Sequence, residues 1–228
     1  MVKITIYKLH LKVRKIYLKP LFLALLSMAC CWTLTAQETY HAVGDPGALT
    51  DQLNKRSGEI SSITSRFTQE KHLEFLDETI VSKGHFWFKR ESSLRWAYEE
   101  PFEYLIILHE GQFMIRDGED VSSFDIESNA VFQEINDLII GMVGGNVMDE
   151  DRFVIGMKES SKHYLISLEP REAELKEVIS GMEVYFDKGD LMVSRIVMKE
   201  NAADYTVISF SERKTNEHVS EAVFSTDY

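Results

Sequence analysis

Residues 84–90 read Gly84-His85-Phe86-Trp87-Phe88-Lys89-Arg90, and three residues later the chain continues Leu94-Arg95-Trp96-Ala97-Tyr98. Successive side chains of a β-strand point to opposite faces, so Phe86, Phe88 and Arg90 share one face and His85, Trp87 and Lys89 the other. Leu94, Trp96 and Tyr98 share a face in the same way. Working outward, the segments Tyr104 to Leu108, Phe113 to Arg116 and Val121 to Ile126 continue as short strands. The turns between them are Glu110-Gly111 and Asp117-Gly118-Glu119-Asp120. This is a meander of antiparallel strands.

Upstream, Asp45-Pro46 reads as an N-cap with proline at the first helical position. Leu49 and Leu53 lie on one face of that helix, and Ser57-Gly58 ends it. From Ile63 the apolar period shifts toward two, through Phe67 and on to Phe75. Downstream, Val131, Phe132, Ile135, Leu138, Ile139 and Met142 recur at helical spacing up to Gly144-Gly145, which predicts a second amphipathic helix. Strands are expected again at Phe153 to Met157, Tyr164 to Leu168, Val178 to Phe186, Leu191 to Lys199 and Tyr205 to Glu212, with a last short one including Val223 and Phe224. Ten or eleven strands with two or three helices imply one large antiparallel sheet, a mainly β fold of the α+β kind. Such a sheet must curl and have its apolar face covered, and the helices are the available cover.

The chain has 228 residues and a formal charge of −12. Six basic residues and no acidic one precede Pro20, and the apolar run Leu21-Phe22-Leu23-Ala24-Leu25-Leu26 is too short for a comfortable bilayer crossing. With the small residue Ala36 before Gln37, this is the layout of a cleaved signal peptide over 1–36, leaving a single domain over 37–228. Cleavage would remove those six positive charges and take the formal charge from −12 to −18. Such acidity argues against nucleic acid and against unaided adsorption to anionic lipid, and it suits basic partner surfaces. Both cysteines, Cys30 and Cys31, fall in the leader, so the exported chain would fold by core burial alone. An alternative makes Cys30 the acylated first residue of a lipoprotein, since Ser27-Met28-Ala29-Cys30 loosely resembles a lipobox.

Catalytic signatures are missing: there is no Gly-rich phosphate loop, no GxSxG turn and no HExxH pair. His72, His85, His109 and His163 lack ligand spacing, and the pairs Glu99-Glu100 and Glu119-Asp120 and the triplet Asp149-Glu150-Asp151 sit beside turns as solvated charge. No cofactor or metal is expected. Seven aromatic residues between Phe86 and Tyr104 are the outstanding feature. Periodicity alone leaves open whether they build an ordinary core or the wall of a ligand cavity.

The succession Phe67-Thr68-Gln69, then residues 84–90, then Leu94-Arg95-Trp96-Ala97-Tyr98-Glu99-Glu100-Pro101 resembles the F-x-Q, G-x-[LF]-W-[FV]-K-R and [LF]-R-W-x-Y-x-x-P order of the LolA-type outer-membrane lipoprotein carriers. A weaker likeness extends through Asp204-Tyr205-Thr206-Val207-Ile208-Ser209-Phe210 to Phe224. Glu91 departs from the proline usual after the Lys-Arg pair, and Glu110-Gly111-Gln112 from the commoner D-G-K. The resemblance implies an unclosed, strongly curved antiparallel β-barrel with a helical lid over a hydrophobic cavity. The cavity would be lined by Phe67, Phe86, Phe88, Trp96, Tyr98, Ile106, Leu138, Ile139 and Met142, with Arg90 tethering the lid. It further implies a monomeric, non-enzymatic periplasmic carrier of lipoproteins, loaded by an ATP-driven release complex of the inner membrane and unloaded to an outer-membrane acceptor. Other readings are a stationary, membrane-anchored lipid acceptor or sensor of the same fold, a carrier of another lipid, and an enzyme acting on lipids.

Overall fold

The computed structural model describes residues 38–90, 93–126 and 149–226. By contacts the chain divides into Met1–Glu38 and Thr39–Tyr228, and the described strands and helices belong to the second unit. The expected leader, Cys30 and the expected helix around Leu138, Ile139 and Met142 lie outside the described residues.

Helix α1 spans Pro46–Gly58. Asp45 caps it by accepting from the Ala48 N–H at 3.0 Å, which satisfies one of the donors a helix start leaves free. Leu49 and Leu53, one turn apart, are its buried anchors. The described residues form one twelve-stranded sheet, every neighbouring pair antiparallel. In chain order the strands are β1 (His41–Ala42), β2 (Ser62–His72), β3 (Ile80–Lys89), β4 (Ser93–Glu100), β5 (Tyr104–His109), β6 (Gln112–Asp117) and β7 (Asp120–Asp125), then β8 (Phe153–Glu159), β9 (His163–Pro170), β10 (Gly181–Asp187), β11 (Val193–Lys199) and β12 (Tyr205–Thr215).

The spatial order is β1-β8-β9-β10-β11-β12-β2-β3-β4-β5-β6-β7. Two meanders, β2 to β7 and β8 to β12, therefore meet along the β12–β2 pair, and β1 and β7 remain as separate edges. The sheet is not closed.

One face carries two apolar clusters. Leu49 and Leu53 of α1 pack with Phe153, Ile166, Leu168, Met182, Val184 and Ile196. Ile60, just after the helix, joins Ile63, Phe67, Phe86, Phe88, Leu94, Leu108 and Phe113. On the opposite face Leu105 and Ile107 of β5 are covered by Val219, Val223 and Phe224 of the C-terminal segment, with Trp87, Ala97 and Met114 packed beside them.

Three local expectations are corrected. Val178 does not open a strand; it ends a second helix, α2 (Ala173–Val178), built from strong helix formers. Val223 and Phe224 lie in a 3-10 turn, Glu221–Phe224, with Ser220 accepting from Ala222 N–H. Two adjacent buried residues fit a tight turn better than a strand, which would point them to opposite faces. β2 stops at His72, and Phe75 beyond it is 78% exposed.

Candidate functional site

Pairing between β2 and β6 sets the apolar face out in cross-strand rows. One row runs Ile63, Phe88, Leu94, Leu108 and Phe113. Every member is buried. The next runs Ser65, Phe86, Trp96, Ile106 and Ile115, and burial falls along it, from Phe86 at 3% exposure to Trp96, Ile106 and Ile115, all half-buried. The third runs Phe210, Phe67, Gly84, Tyr98 and Tyr104, with both tyrosines again half-buried. The face thus grades from a packed layer into a field of large side chains that the described residues cover only in part.

The aromatic groups hold one another in place. Phe67 lies 5.0 Å from both Trp96 and Tyr98, ring centre to ring centre, and Phe86 is 5.2 Å from Trp96. Edge-on and tilted packing of this kind adds about 0.5 to 1.5 kcal/mol per pair beyond area burial. Gly84 makes it feasible: a Cβ there would sit 1.9 Å from the Ala97 carbonyl oxygen and 2.9 Å from the Phe67 ring. A polar note enters at one point, where the Tyr98 hydroxyl donates to Gln69 Oε1 at 3.0 Å. Burial first, then the neighbouring Tyr104, pushes the Tyr98 phenol up to about 12, so it stays a neutral donor at any physiological pH.

Arg90 follows the last residue of β3. Its Nε donates to the Ile60 carbonyl at 2.8 Å and its Nη2 to the Ser57 carbonyl at 2.6 Å, while its own N–H bonds Ser61 O. Ser57 is in the last turn of α1 and Ile60 just beyond it. A cation here satisfies orphan carbonyls and complements the negative end of the helix dipole. The same helix end is tied down twice more: Asn216 Nδ2 donates to Glu59 O, and Arg56 Nε to Asp190 O, each at 3.0 Å.

Of the residues singled out from sequence, Phe67, Phe86 and Phe88 thus belong to the packed part of the face. Trp96, Tyr98 and Ile106 belong to the half-covered part, and Arg90 clasps the end of α1. Phe210, Ile115 and Ile208 share this face but were not singled out. Alternation on β6 and β12 was their signal, diluted by polar neighbours. The histidines are dispersed: His85 Nδ1 is 2.6 Å from Glu99 Oε1, His109 Nδ1 is 2.8 Å from Ser93 Oγ, and His72 stacks on Tyr205 at 4.3 Å. Glu99 and Glu100 are ion-paired strand residues, Glu99 with Arg66 at 3.9 Å and Glu100 with Lys83 at 3.0 Å, and not bare loop charge. Among the described residues no group of three or more His, Cys, Asp or Glu could hold a metal.

The opposite face shows how the chain end is secured. Arg95, only 5% exposed, donates to the carbonyls of Val223 and Ser225 at 3.0 and 2.8 Å, and Arg116 to that of Thr226 at 2.8 Å.

Comparison with known proteins adds a family. The model of the family described as "Outer membrane lipoprotein carrier protein LolA" matches residues 58–227. A curated outer-membrane lipoprotein carrier protein from Alkalilimnicola ehrlichii is 27% identical over 154 residues, covering 65% of this chain; the chain spans just under two thirds of that relative's length, also 65%. Among solved structures, an uncharacterized conserved protein from Thermus thermophilus superposes with a TM-score of 0.50 at 9% identity, covering 77% of this chain and 92% of that one. A LolA superfamily protein from Nitrosomonas europaea gives a TM-score of 0.43 at 8% identity, covering 78% and 98%.

Proposed function

This chain belongs to the LolA family of outer membrane lipoprotein carriers, and from that premise we propose that it is a periplasmic, non-enzymatic carrier whose half-covered apolar face receives the acyl chains of lipoproteins. The observation that carries the reading is the grading of the face. Trp96, Tyr98, Ile106 and Ile115 are large, apolar or aromatic, on strands β4 to β6 that are each paired on both sides, and only partly buried, where an ordinary core would close over them. Each CH₂ of an acyl chain gains about 0.8 kcal/mol on leaving water, so a lipoprotein cannot cross an aqueous space without such a shelter.

In this reading α1 and the segment around Leu138, Ile139 and Met142 form the lid, and Arg90 holds it shut by its bonds to Ser57 and Ile60. Lipoproteins arrive from an ATP-driven release complex in the inner membrane and leave to an outer-membrane acceptor, after the leader is cleaved near Ala36-Gln37. The grading also separates two kinds of substitution. Phe88→Glu puts a charge into the packed row and threatens the fold, whereas Ile106→Glu puts one where cargo would lie. Uptake of a diacylated lipoprotein from inner-membrane vesicles, measured beside urea unfolding, tests the proposal. Ile106→Glu should cut uptake at least tenfold with a smaller change in stability, and undiminished uptake would sink it.

A further inference from the structure

Of the ten large hydrophobic side chains exposed among the described residues, six gather at one end of the sheet. Phe75 and Leu76 occupy the loop between β2 and β3, Ile80 and Val81 open β3, Phe102 is in the β4–β5 turn, and Tyr205 opens β12. Strand order makes them neighbours, because β12, β2, β3 and β4 are adjacent and all these turns fall at the same end. The β2–β3 hairpin overhangs β4: β3 first meets β4 at Lys83, opposite Glu100, leaving Ile80 and Val81 projecting beyond it. The loop is held out on a built turn, with Leu76 N–H bonded to Leu73 O at 2.9 Å and Glu74 N–H to Asp204 Oδ1 at 2.7 Å.

Carboxylates ring this patch: Glu70, Glu74, Asp77, Glu78, Glu99, Glu100 and Glu103 are all exposed. The cations among them are already engaged, Lys71 with Glu200 and Lys83 with Glu100, each at 3.0 Å, and Arg66 with Glu99 at 3.9 Å, and the carboxylates outnumber them. Phe75 and Phe102, 78% and 81% exposed, carry a hydration cost that only a partner's surface could relieve. The acidic rim selects that partner. A second copy of this chain would bring carboxylates against carboxylates, and an anionic bilayer would be repelled. We propose that this end is a docking surface for a protein with an apolar centre and a lysine- or arginine-rich rim, Phe75 and Phe102 serving as its anchors. On the proposed lipid-binding reading, Phe75 and Phe102 lie in turns outside the cross-strand rows that would line the cargo, so docking and loading are separable.

The test uses the whole chain and two synthetic amphipathic peptides, identical in their leucine and phenylalanine face but carrying lysine or glutamate opposite. Fluorescence anisotropy at low and at physiological salt should show the lysine peptide binding at least tenfold tighter, more weakly as salt rises. Phe75→Ser with Phe102→Ser should cost tenfold or more in that binding while leaving lipoprotein uptake unchanged. Ile106→Glu should bind the peptide as the original chain does. Equal binding of the two peptides would overturn the proposal, as would retention by the Phe75/Phe102 variant or loss in Ile106→Glu. So would equally tight binding of this end to anionic phospholipid vesicles.

Discussion

Replacing Arg90 with Leu removes its three side-chain bonds, two to the Ile60 carbonyl and one to that of Ser57, while leaving its backbone bond to Ser61 O intact. A hydrogen bond from a charged donor is worth about 1.5 to 3 kcal/mol. The surroundings place this one at the lower end. Leu49 and Leu53 keep α1 on the sheet through apolar burial, and Asn216 and Arg56 still hold the same helix end. On the proposed lid role, a shift near 1.5 kcal/mol tilts the open–closed balance of the helix by about tenfold, too little to unfold the chain. Arg90→Leu should therefore accept lipoprotein at least as well as the original, yet deliver it about tenfold more slowly, because weakened closure no longer helps expel the cargo. A two-stage assay, loading from inner-membrane vesicles and then delivery to outer-membrane vesicles, separates the steps. Delivery at the original rate would refute the reasoning, as would a loss of loading that tracks a fall in urea midpoint.

Gly84→Ala should destabilise by about 3 kcal/mol or more, since the new Cβ meets a backbone oxygen that cannot turn aside, and urea unfolding reads this directly. Phe224→Ala empties a site 1% exposed against Leu105 and Ile107; the expected loss is about 3 kcal/mol, with faster proteolytic trimming of the C-terminal segment, and an unchanged trimming rate would contradict the latch. Tyr98 gives a pH signature. Its folded pKa is raised to about 12 from an ordinary value of 10.0, so its contribution is fully present below pH 10 and is lost as the pH rises toward 12. Denaturation followed across that window should show a weaker alkaline decline in Tyr98→Phe than in the original chain.

Residues 84–98 were legible because both strands keep strict alternation, so the rows through Phe86, Phe88, Leu94 and Trp96 could be read without coordinates. Helix α1 was legible for another reason: Asp45, Pro46 and the Leu49/Leu53 pair each act locally. The misses were also physical. Two-residue β1 is fixed by pairing with β8 and has no signal of its own. Short α2 hides its helix-forming Ala173 to Glu177 in front of the β-branched Val178 and Ile179, which read as a strand start. At the site, alternation located Trp96 and Ile106 but could not grade their burial against Phe88, because that depends on how far neighbouring elements reach across the sheet. Arg90's partners, some thirty residues away, lie beyond any periodicity.

The β12–β2 seam joins residues about 130 to 150 apart in sequence. Until Tyr205–Thr215 has emerged, the first meander carries β2 as a bare edge, with Phe67 and Ile63 lacking their neighbours on one side. A chain threaded outward from its N-terminus spends that interval as an incomplete sheet whose open hydrogen-bonding edge could pair with any passing strand. High separation of the contacting residues slows the closure further. The finished sheet keeps its edges at β1 with β8 and at β7, but the bare edge at β2 exists only until β12 arrives, which places that hazard at the molecule's birth, where escort during synthesis matters more than final stability.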